Sequence, residues 1–309
     1  MTIFLVTGGA GFIGSHLAAE LLARGHHVRV VDNLATGMIT KVPAGAEFIE
    51  GDLTDAATAA EAVRGCEVVL HQAALPSVPL SIAKPRQSHD ANINATFNIL
   101  IAARDAGVRR VVYAASSSAY GDSAVLPKGE GMPANPQSPY ALQKNVGETY
   151  CRLFTELYGL ETVSIRYFNV FGPRQHPSSP YSGVLSLFIK AALAGEASVI
   201  YGDGEQTRDF TYIDNVVDGV LRAIEAPDAV GEVINVATGG RISLNQAWAV
   251  LAGIVGPLPA PTYGPARPGD VRDSQADIAK AERLLGYRPQ VGFEEGLRRT
   301  VAWAATALT

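Results

Sequence analysis

Tyr140 and Lys144 are the two residues of this sequence whose types and spacing best suit proton transfer. They are four positions apart, so on a helix they would lie on one face within reach of each other. A phenol with a pKa of about 10 is a poor base at neutral pH, but a neighbouring ammonium favours the phenolate. We therefore predict that Tyr140 moves protons near neutrality with the help of Lys144.

Three consecutive serines, Ser116 to Ser118, supply hydroxyl groups upstream of this pair. They follow the apolar run Arg109 to Ala114, which predicts a buried strand. A hydroxyl at the end of that strand, from Ser116 or Ser117, could donate a hydrogen bond to the substrate oxygen that Tyr140 serves. The residues alone leave open which of the serines does so.

The stretch Gly8 to Gly14 is a second candidate site. It lies between the apolar run Ile3 to Val6 and a helix-period segment, so it predicts a strand, a tight turn and a helix. Glycines let a pyrophosphate approach the first helical turn, where N–H groups and the helix dipole favour an anion. Asp32 follows Gly11 by twenty-one residues, about where a carboxylate accepts from an adenosine ribose. We predict a dinucleotide site, with NAD favoured over NADP because Asp32 would repel a 2′-phosphate. The cationic nicotinamide of NAD would join Lys144 in favouring the Tyr140 phenolate.

The elements that must position these groups alternate between strand and helix. Apolar runs and helical stripes follow one another from residue 3 to residue 169, which predicts a parallel sheet with helices on both faces. We therefore expect an α/β protein with a Rossmann-like doubly wound parallel sheet over residues 1–170, to which 211–237 returns. The alternation of strand and helix breaks past Gly172, so we expect residues 171–210 and 238–309 to form a smaller C-terminal α/β domain. From Ser243 onward the sequence predicts helices, with a Pro-rich interruption at residues 257–268.

Composition narrows the class of ligand. The chain has 309 residues, 47% of them hydrophobic and 18% charged, which is ordinary for a globular protein. Lys and Arg total 25 against 30 Asp and Glu, a net charge of −5 that argues against a nucleic-acid surface and for a small-molecule ligand. Cys66 and Cys151 lie far apart without metal-ligand spacing, so we expect free thiols, no metal site and a reducing cytoplasm. We find no bilayer-spanning stretch and no export signal, so we expect a cytoplasmic protein without membrane attachment.

Taken together, these motifs resemble the extended short-chain dehydrogenases/reductases, specifically the UDP-sugar 4-epimerases. The resemblance runs nearly the full chain, through Arg166 to Asn169, Gly202 to Gly204, Thr207 to Phe210 and Arg267 to Asp270. It implies an isomerase that holds NAD tightly. Tyr140 would take the proton from the sugar 4-hydroxyl, and hydride would return to the other face of a transient 4-keto sugar.

The resemblance also implies roles for individual residues. Ser116 matches the catalytic Ser best, alongside Tyr140 and Lys144, and Asn92 matches a family Asn for which a structural role is as good an explanation. The expected cofactor contacts are Gly8, Gly11, Phe12, Ile13, Asp32, Asn33, Asp52, Leu53, Gln72, Ala73, Ala74, Asn92, Tyr140, Lys144 and Phe168. The expected substrate contacts are Ser117, Asn169, Arg208, Arg267, Asp270 and Ser274.

Two positions bear on which reaction and which sugar are served. Related dehydratases carry an Asp-Glu pair where this chain has Ser117, Ser118 and Ala119, so the usual groups for eliminating water are missing and epimerisation remains. Ser274 stands where some relatives carry a bulky aromatic that excludes a 2-acetamido group. We therefore expect UDP-glucose and UDP-galactose to fit, and UDP-N-acetylglucosamine and UDP-N-acetylgalactosamine as well.

Two other functions stay open at this point. A UDP-uronic acid or UDP-pentose 4-epimerase would use the same fold, and a nucleotide sensor would keep the fold without the chemistry. Retention of Ser116, Tyr140 and Lys144 together argues against the sensor. The resemblance further implies a homodimer joined through the helices at 92–106 and 140–158.

Overall fold

A computed structural model describes residues 2–175, 183–266 and 271–307. The strands in these ranges are β1 (Ile3–Thr7), β2 (His27–Asp32), β3 (Glu47–Glu50), β4 (Val68–His71), β5 (Arg110–Ser116), β6 (Glu161–Tyr167), β7 (Val170–Phe171), β8 (Val199–Tyr201), β9 (Thr207–Arg208), β10 (Thr211–Tyr212), β11 (Val233–Val236), β12 (Ile242–Ser243) and β13 (Thr262–Gly264). The helices are α1 (Phe12–Ala23), α2 (Ala56–Val63), α3 (Val78–Ala83), α4 (Pro85–His89), α5 (Ala95–Asp105), α6 (Pro139–Tyr158), α7 (Val184–Leu193), α8 (Ile213–Glu225), α9 (Leu244–Val255), α10 (Ala279–Leu285) and α11 (Phe293–Ala307).

The central feature is a seven-stranded parallel sheet in the order β11-β6-β5-β4-β1-β2-β3. Strand β1 pairs with β2 on one side and with β4 on the other, so the order of the strands reverses beside it. In open parallel sheets ligands bind outside the carboxyl ends of the strands at such a switch point. The predicted doubly wound sheet is confirmed, and the turn at Gly8 follows β1 directly.

Helices cover both faces of this sheet because its central strands are apolar on both sides. All four residues of β4 are buried, as is typical of a strand between two helical layers. Side chains from α1 and α8 fill the core on one face, and side chains from α2, α5 and α6 fill the core on the other. The carboxyl edge between the two layers is thereby left open for a ligand.

Helix α6 presents the residues predicted for proton transfer, and its bounds follow from local sequence. The Ser138 side chain caps the start by accepting from the Ala141 N–H at 3.2 Å, and Pro139 occupies the first turn. Gly159 ends the helix in a left-handed conformation with φ of 72°. The predicted helix from Tyr140 to Tyr158 is therefore confirmed.

The C-terminal region departs from the prediction at one point. The Pro-rich interruption expected at residues 257–268 contains β13, which pairs in parallel with β8. A three-residue strand with a partner some sixty positions away leaves no periodicity that a sequence can reveal. Nearby, Phe188 of α7 and Trp248 of α9 pack edge to face with ring centroids 5.3 Å apart.

The division of the chain into two domains stays a proposal. It is supported by the pairing of β11 with β6, which returns the segment around Val233 to the central sheet as expected. Both cysteines are buried free thiols, in agreement with the prediction. Within the described ranges no group of His, Cys, Asp and Glu is arranged to hold a metal ion. No helix in those ranges combines the length and apolarity needed to cross a membrane.

Candidate active site

A cleft of about 670 Å³ opens at the carboxyl edge of the sheet. This volume is in the range of small-molecule sites. Most of the predicted site residues within the described ranges line it, namely Gly8, Gly11, Phe12, Ile13, Asp32, Asn33, Asp52, Leu53, Gln72, Ala73, Ala74, Ser116, Ser117, Tyr140, Lys144, Phe168, Asn169, Arg208 and Ser274. Arg267 and Asp270 lie outside the described residues. The fold therefore gathers residues from both halves of the sequence around one cavity.

The turn after β1 forms the floor of one end of the cleft. Gly8 has φ of 66°, and a Cβ there would lie 2.8 Å from the Ala73 backbone, so only glycine fits this close approach. Gly11 is the N-cap of α1 and provides no side-chain cap, which leaves the first-turn amides of the helix facing the cavity. An uncapped helix start on an open floor suits a pyrophosphate.

Replacement of Gly11 by Val is expected to lower the NAD content of the purified protein. A Cβ at this position would lie 3.0 Å from the Gly8 carbonyl oxygen, so the added side chain crowds the turn that receives the pyrophosphate. NAD released by denaturation and assayed enzymatically gives the occupancy. Gly253→Val, at an exposed helical site with nothing within 4 Å, is the matched control. Full NAD content in Gly11→Val would contradict the assignment.

Asp32 and its neighbours form the wall beside the turn. One carboxylate oxygen of Asp32 accepts from the Ala10 N–H at 3.0 Å and the other from the Leu34 N–H at 2.8 Å. An ionised carboxylate has about four acceptor sites, so it still has capacity for ribose hydroxyls. Burial raises the pKa of Asp32, and the two backbone hydrogen bonds oppose that shift. The Asn33 amide donates to Asp52 at 2.9 Å, which joins two of the predicted adenosine contacts.

Gln72, directly after β4, carries a buried donor that lacks a partner. Its Oε1 accepts from the Tyr167 hydroxyl at 3.0 Å, whereas its Nε2 has no hydrogen-bond partner in the described structure. An unsatisfied buried N–H is costly unless a ligand accepts from it. Because Gln72 lines the cleft, this orphan donor and the glycine floor together fit a dinucleotide.

Tyr140 and Ser116 both line the cleft, at the carboxyl end of β5. Tyr140 is half-buried near the start of α6, where its backbone N–H donates to the Ser81 hydroxyl at 3.1 Å. Burial raises the pKa of Tyr140, and a hydrogen bond with the Ser116 hydroxyl opposes that rise. Ser116 also accepts from the Ser118 N–H at 3.2 Å, which fixes its side chain. Of the serines left open by the sequence, Ser116 is the one whose hydroxyl affects the pKa of Tyr140.

Lys144 is placed differently from the expectation. Its Nζ donates to the Ala114 carbonyl at 2.8 Å and lies 5.0 Å from the centre of the Tyr113 ring. Burial lowers the pKa of Lys144 to about 8, which Cys151 and Glu148 partly oppose. In the protein by itself burial dominates and raises the pKa of Tyr140, so the lowering expected from Lys144 together with a cationic nicotinamide stays a prediction.

This buried ammonium predicts a pH dependence of stability. The pKa of Lys144 falls from 10.5 in the unfolded chain to about 8, so between those values the unfolded state binds the extra proton. Stability attributable to Lys144 therefore rises as the pH increases through that window and is lowest below it. Urea unfolding from about pH 7 to about pH 10 should show the wild type gaining free energy of unfolding relative to Lys144→Met. A constant difference between the two proteins would contradict the shift.

The other end of the cleft is formed by groups expected to contact substrate. Asn169 is exposed in the cleft, and the Ser274 N–H donates to the Thr207 carbonyl at 3.1 Å. The Arg208 guanidinium is buried and donates to the Thr207 and Arg272 carbonyls at 2.8 and 3.0 Å. Phe168 is fully buried beside Tyr120, with ring centroids 6.1 Å apart.

Asn92 is not part of the cleft lining. Its Oδ1 accepts from the Leu75 N–H at 2.8 Å, and its Nδ2 donates to Gln143 Oε1 at 2.8 Å. It is fully buried and thereby ties the loop after β4 to helix α6. Of the two roles considered for Asn92, these contacts favour the structural one.

Several lining residues were not anticipated. They are Lys41, Lys128, Gln137, Tyr167, Gln175 and Asp273. Lys128 lies in a loop without any motif and reaches the site because its backbone pairs with Ala276, far along the chain. Asp273 precedes Ser274 in the sequence. The match of Ser274 to a family position was the only sequence signal that pointed to this part of the cleft.

Comparison with known proteins places this site in a family. The model of the NAD dependent epimerase/dehydratase family matches residues 4–237. The chain belongs to this family. As a member of the epimerase/dehydratase family it is an isomerase that uses NAD, so the expected cofactor is confirmed.

Relatives within the epimerase/dehydratase family span the whole chain. A UDP-glucose 4-epimerase from Mycolicibacterium smegmatis is 41% identical over 304 residues, which cover 96% of each chain. A UDP-glucose 4-epimerase from Thermotoga maritima, solved with UDP-glucose, has a TM-score of 0.96 at 38% identity over 100% of both chains. A UDP-N-acetylglucosamine 4-epimerase from Methanobrevibacter ruminantium M1, in complex with UDP-N-acetylmuramic acid, has a TM-score of 0.94 at 37% identity over 99% and 98%.

Proposed function

We propose that this protein is a UDP-hexose 4-epimerase that interconverts UDP-glucose and UDP-galactose through a transient 4-keto sugar. The observation that carries the proposal is that Tyr140 and Ser116 line one cleft together with the glycine turn and Arg208. Whole-length similarity to the UDP-glucose 4-epimerases supports the choice of sugar nucleotide.

NAD, when bound, accepts hydride from C4 of the sugar and returns it. The first-turn amides of α1 would hold its pyrophosphate, Asp32 its adenosine ribose, and Gln72 would donate from its unpartnered amide. Lys144 lines the cleft beneath Tyr140 and would donate to the nicotinamide ribose. These residues would hold the cofactor through both halves of the reaction.

Tyr140 is the group that moves the proton. As a phenolate it accepts the proton from the sugar 4-hydroxyl, and as a phenol it returns the proton to the same oxygen when the keto sugar is reduced. Ser116 donates a hydrogen bond to that oxygen and holds it opposite Tyr140. Because burial raises the pKa of Tyr140, formation of the phenolate depends on the positive charges that Lys144 and a bound nicotinamide would provide.

The site favours epimerisation over elimination. Between Ser116 and Tyr120 the chain carries Ser117, Ser118 and Ala119, so this segment brings no carboxylate to the sugar. Loss of water from C5 and C6 requires an added acid and base. Ser116 and Tyr140 therefore provide proton transfer at one oxygen, and the segment between Ser116 and Tyr120 adds no second acid or base.

The N-acetylated pair, UDP-N-acetylglucosamine and UDP-N-acetylgalactosamine, is included in the proposal. Ser274 lines the cleft with a small side chain, which leaves room for a 2-acetamido group. The structural neighbour from Methanobrevibacter ruminantium is a UDP-N-acetylglucosamine 4-epimerase, which supports this extension.

Incubation of the purified protein with a panel of UDP-sugars, with products resolved by NMR, tests the proposal. Inversion at C4 of UDP-glucose and UDP-galactose is the expected result. Turnover restricted to UDP-glucuronic acid or a UDP-pentose would replace the proposed substrate, and NAD binding without any turnover would favour a sensor. A Tyr140→Phe sample, which is expected to be inactive, is assayed in parallel as the control for contaminating epimerase.

We also propose a homodimer formed through α5 and α6. Three apolar side chains on these helices stay exposed, Phe97 at 38%, Leu142 at 50% and Leu157 at 67%. Exposed apolar groups on neighbouring helices are suited to a symmetric contact with a second copy. Light scattering coupled to size exclusion gives the mass, and a monomer at all concentrations would exclude the dimer.

A further inference from the structure

Lys128 is a buried cation in the substrate half of the cleft. Its side chain lines the cavity together with Asp273 and Ser274, and only 2% of the residue is exposed. Nothing in the proposed chemistry uses it. A buried ammonium is costly unless it is paired, so its presence in a ligand cleft calls for a partner.

The backbone of Lys128 is fixed in place from two sides. Its N–H donates to the Gln275 carbonyl at 2.7 Å, and its carbonyl accepts from the Asp277 N–H at 2.9 Å and from the Asn235 amide at 2.8 Å. These bonds attach the loop after β5 to the segment that carries Ser274. The backbone from which the Lys128 side chain extends is therefore fixed beside the segment that carries that serine.

The ammonium itself is only partly satisfied by protein. Its Nζ donates to the Ser123 carbonyl, and within the described ranges no carboxylate lies within 4.0 Å of it. An ammonium has three donors, so this leaves donor capacity for a ligand. Burial lowers the pKa of Lys128, while Asp122 and Asp273 act in the opposite direction.

Asp273 supplies an acceptor in the same part of the cleft. Its Oδ1 accepts from the Thr207 hydroxyl at 2.5 Å, which orients the carboxylate and leaves Oδ2 with spare capacity. Lys128 and Asp273 thus place a donor and an acceptor on a wall that also includes the small side chain of Ser274. A trans amide has one N–H donor and one C=O acceptor, so it can bind a wall that offers both an acceptor and a donor.

We infer that Lys128 and Asp273 bind the acetamido group of an N-acetylated UDP-hexose. Lys128 donates to the acetyl carbonyl, and Asp273 accepts from the amide N–H. Asp122 and Asp273 both raise the pKa of Lys128 from beyond contact distance, so negative charge is already present in its surroundings and a neutral acceptor fits better than a uronate carboxylate. This inference rests on the proposed function and makes Lys128 a determinant of specificity.

The test is the ratio of kcat/KM for UDP-N-acetylglucosamine to that for UDP-glucose, measured on the same preparation. Lys128→Met keeps the length of the side chain and removes the charged donor, and it is expected to lower this ratio by about ten- to a hundredfold, as for a lost hydrogen bond to a charged group. Asp273→Ala should lower it in the same direction. Lys84→Met, an exposed lysine outside the cleft, should leave the ratio unchanged. Because both substrates share one preparation, partial misfolding cancels from the ratio.

Each other outcome has a defined meaning. A wild type that epimerises neither sugar overturns the proposed function itself. A wild type active on UDP-glucose alone, or a Lys128→Met variant whose ratio is unchanged, overturns the inference and leaves the proposed function standing. A selective loss of UDP-glucuronic acid turnover in Lys128→Met would also overturn it, because Lys128 would then recognise a carboxylate.

Discussion

Replacement of Tyr140 by Phe is expected to lower kcat for 4-epimerisation by about a hundred- to ten-thousandfold and to leave NAD bound. The change removes one oxygen, the only atom of the side chain that exchanges a proton with the sugar. The ring and the Tyr140 N–H bond to Ser81 remain, so the start of α6 is preserved. Single-turnover rates together with the enzymatic assay of bound NAD measure the two effects separately.

Tyr158→Phe is the matched control for this experiment. Tyr158 ends the same helix, is 52% exposed and lies outside the cleft lining, so its hydroxyl is expected to be dispensable. Equal rates for Tyr140→Phe and wild type would falsify the proposed role of the phenol. Loss of NAD together with loss of turnover would assign Tyr140 to cofactor binding instead.

Replacement of Glu148 by Ala is expected to lower the free energy of unfolding by about 3–5 kcal/mol, the usual cost of breaking a buried ion pair from one side. Glu148 and Arg166 are 4% and 5% exposed and form two hydrogen bonds of 2.8 and 2.7 Å. The Arg166 guanidinium also lies 4.5 Å above the Tyr120 ring, and its Nη1 already lacks a partner within the described structure. Without the carboxylate its charge would be buried and uncompensated.

An exposed pair on the same helix is the control for this prediction. Arg152 and Glu156 are each 51% exposed and 2.7 Å apart, so Glu156→Ala should cost about 1 kcal/mol or less. Urea unfolding compares the two variants. The double variant Glu148→Leu with Arg166→Met, which removes both charges, should recover most of the lost stability even if Glu148→Ala fails to fold. Equal costs for Glu148→Ala and Glu156→Ala would contradict the assignment.

Features carried by short stretches of sequence were predictable. The strand, turn and helix around Gly8 and the ends of α6 at Pro139 and Gly159 depend on local backbone preferences, which the residues display directly. The position of Ser116 at the carboxyl edge followed from the apolar strand before it, and its pairing with Tyr140 followed from the family resemblance. These parts of the cleft could be predicted from the sequence alone.

Features that depend on distant packing were not predictable. The Lys144 ammonium donates to the Ala114 carbonyl, and burial raises the pKa of Tyr140; the spacing of these two residues shows neither. Lys128 lines the cleft through the pairing of its backbone with Ala276, and Gln72 accepts from the Tyr167 hydroxyl while its Nε2 lacks a partner within the described structure. Each of these depends on a pair of residues that no spacing rule connects.

The pairing of β11 with β6 constrains how the chain can be made and cut. Until Val233–Val236 has been synthesised, β6 is the edge of a six-stranded sheet with open backbone groups along Ser164 to Tyr167. Such an edge is a template for pairing with other chains. A fragment ending near residue 170 would therefore expose the backbone of β6 and be prone to aggregate, whereas a chain that extends through Val236 covers that edge with β11.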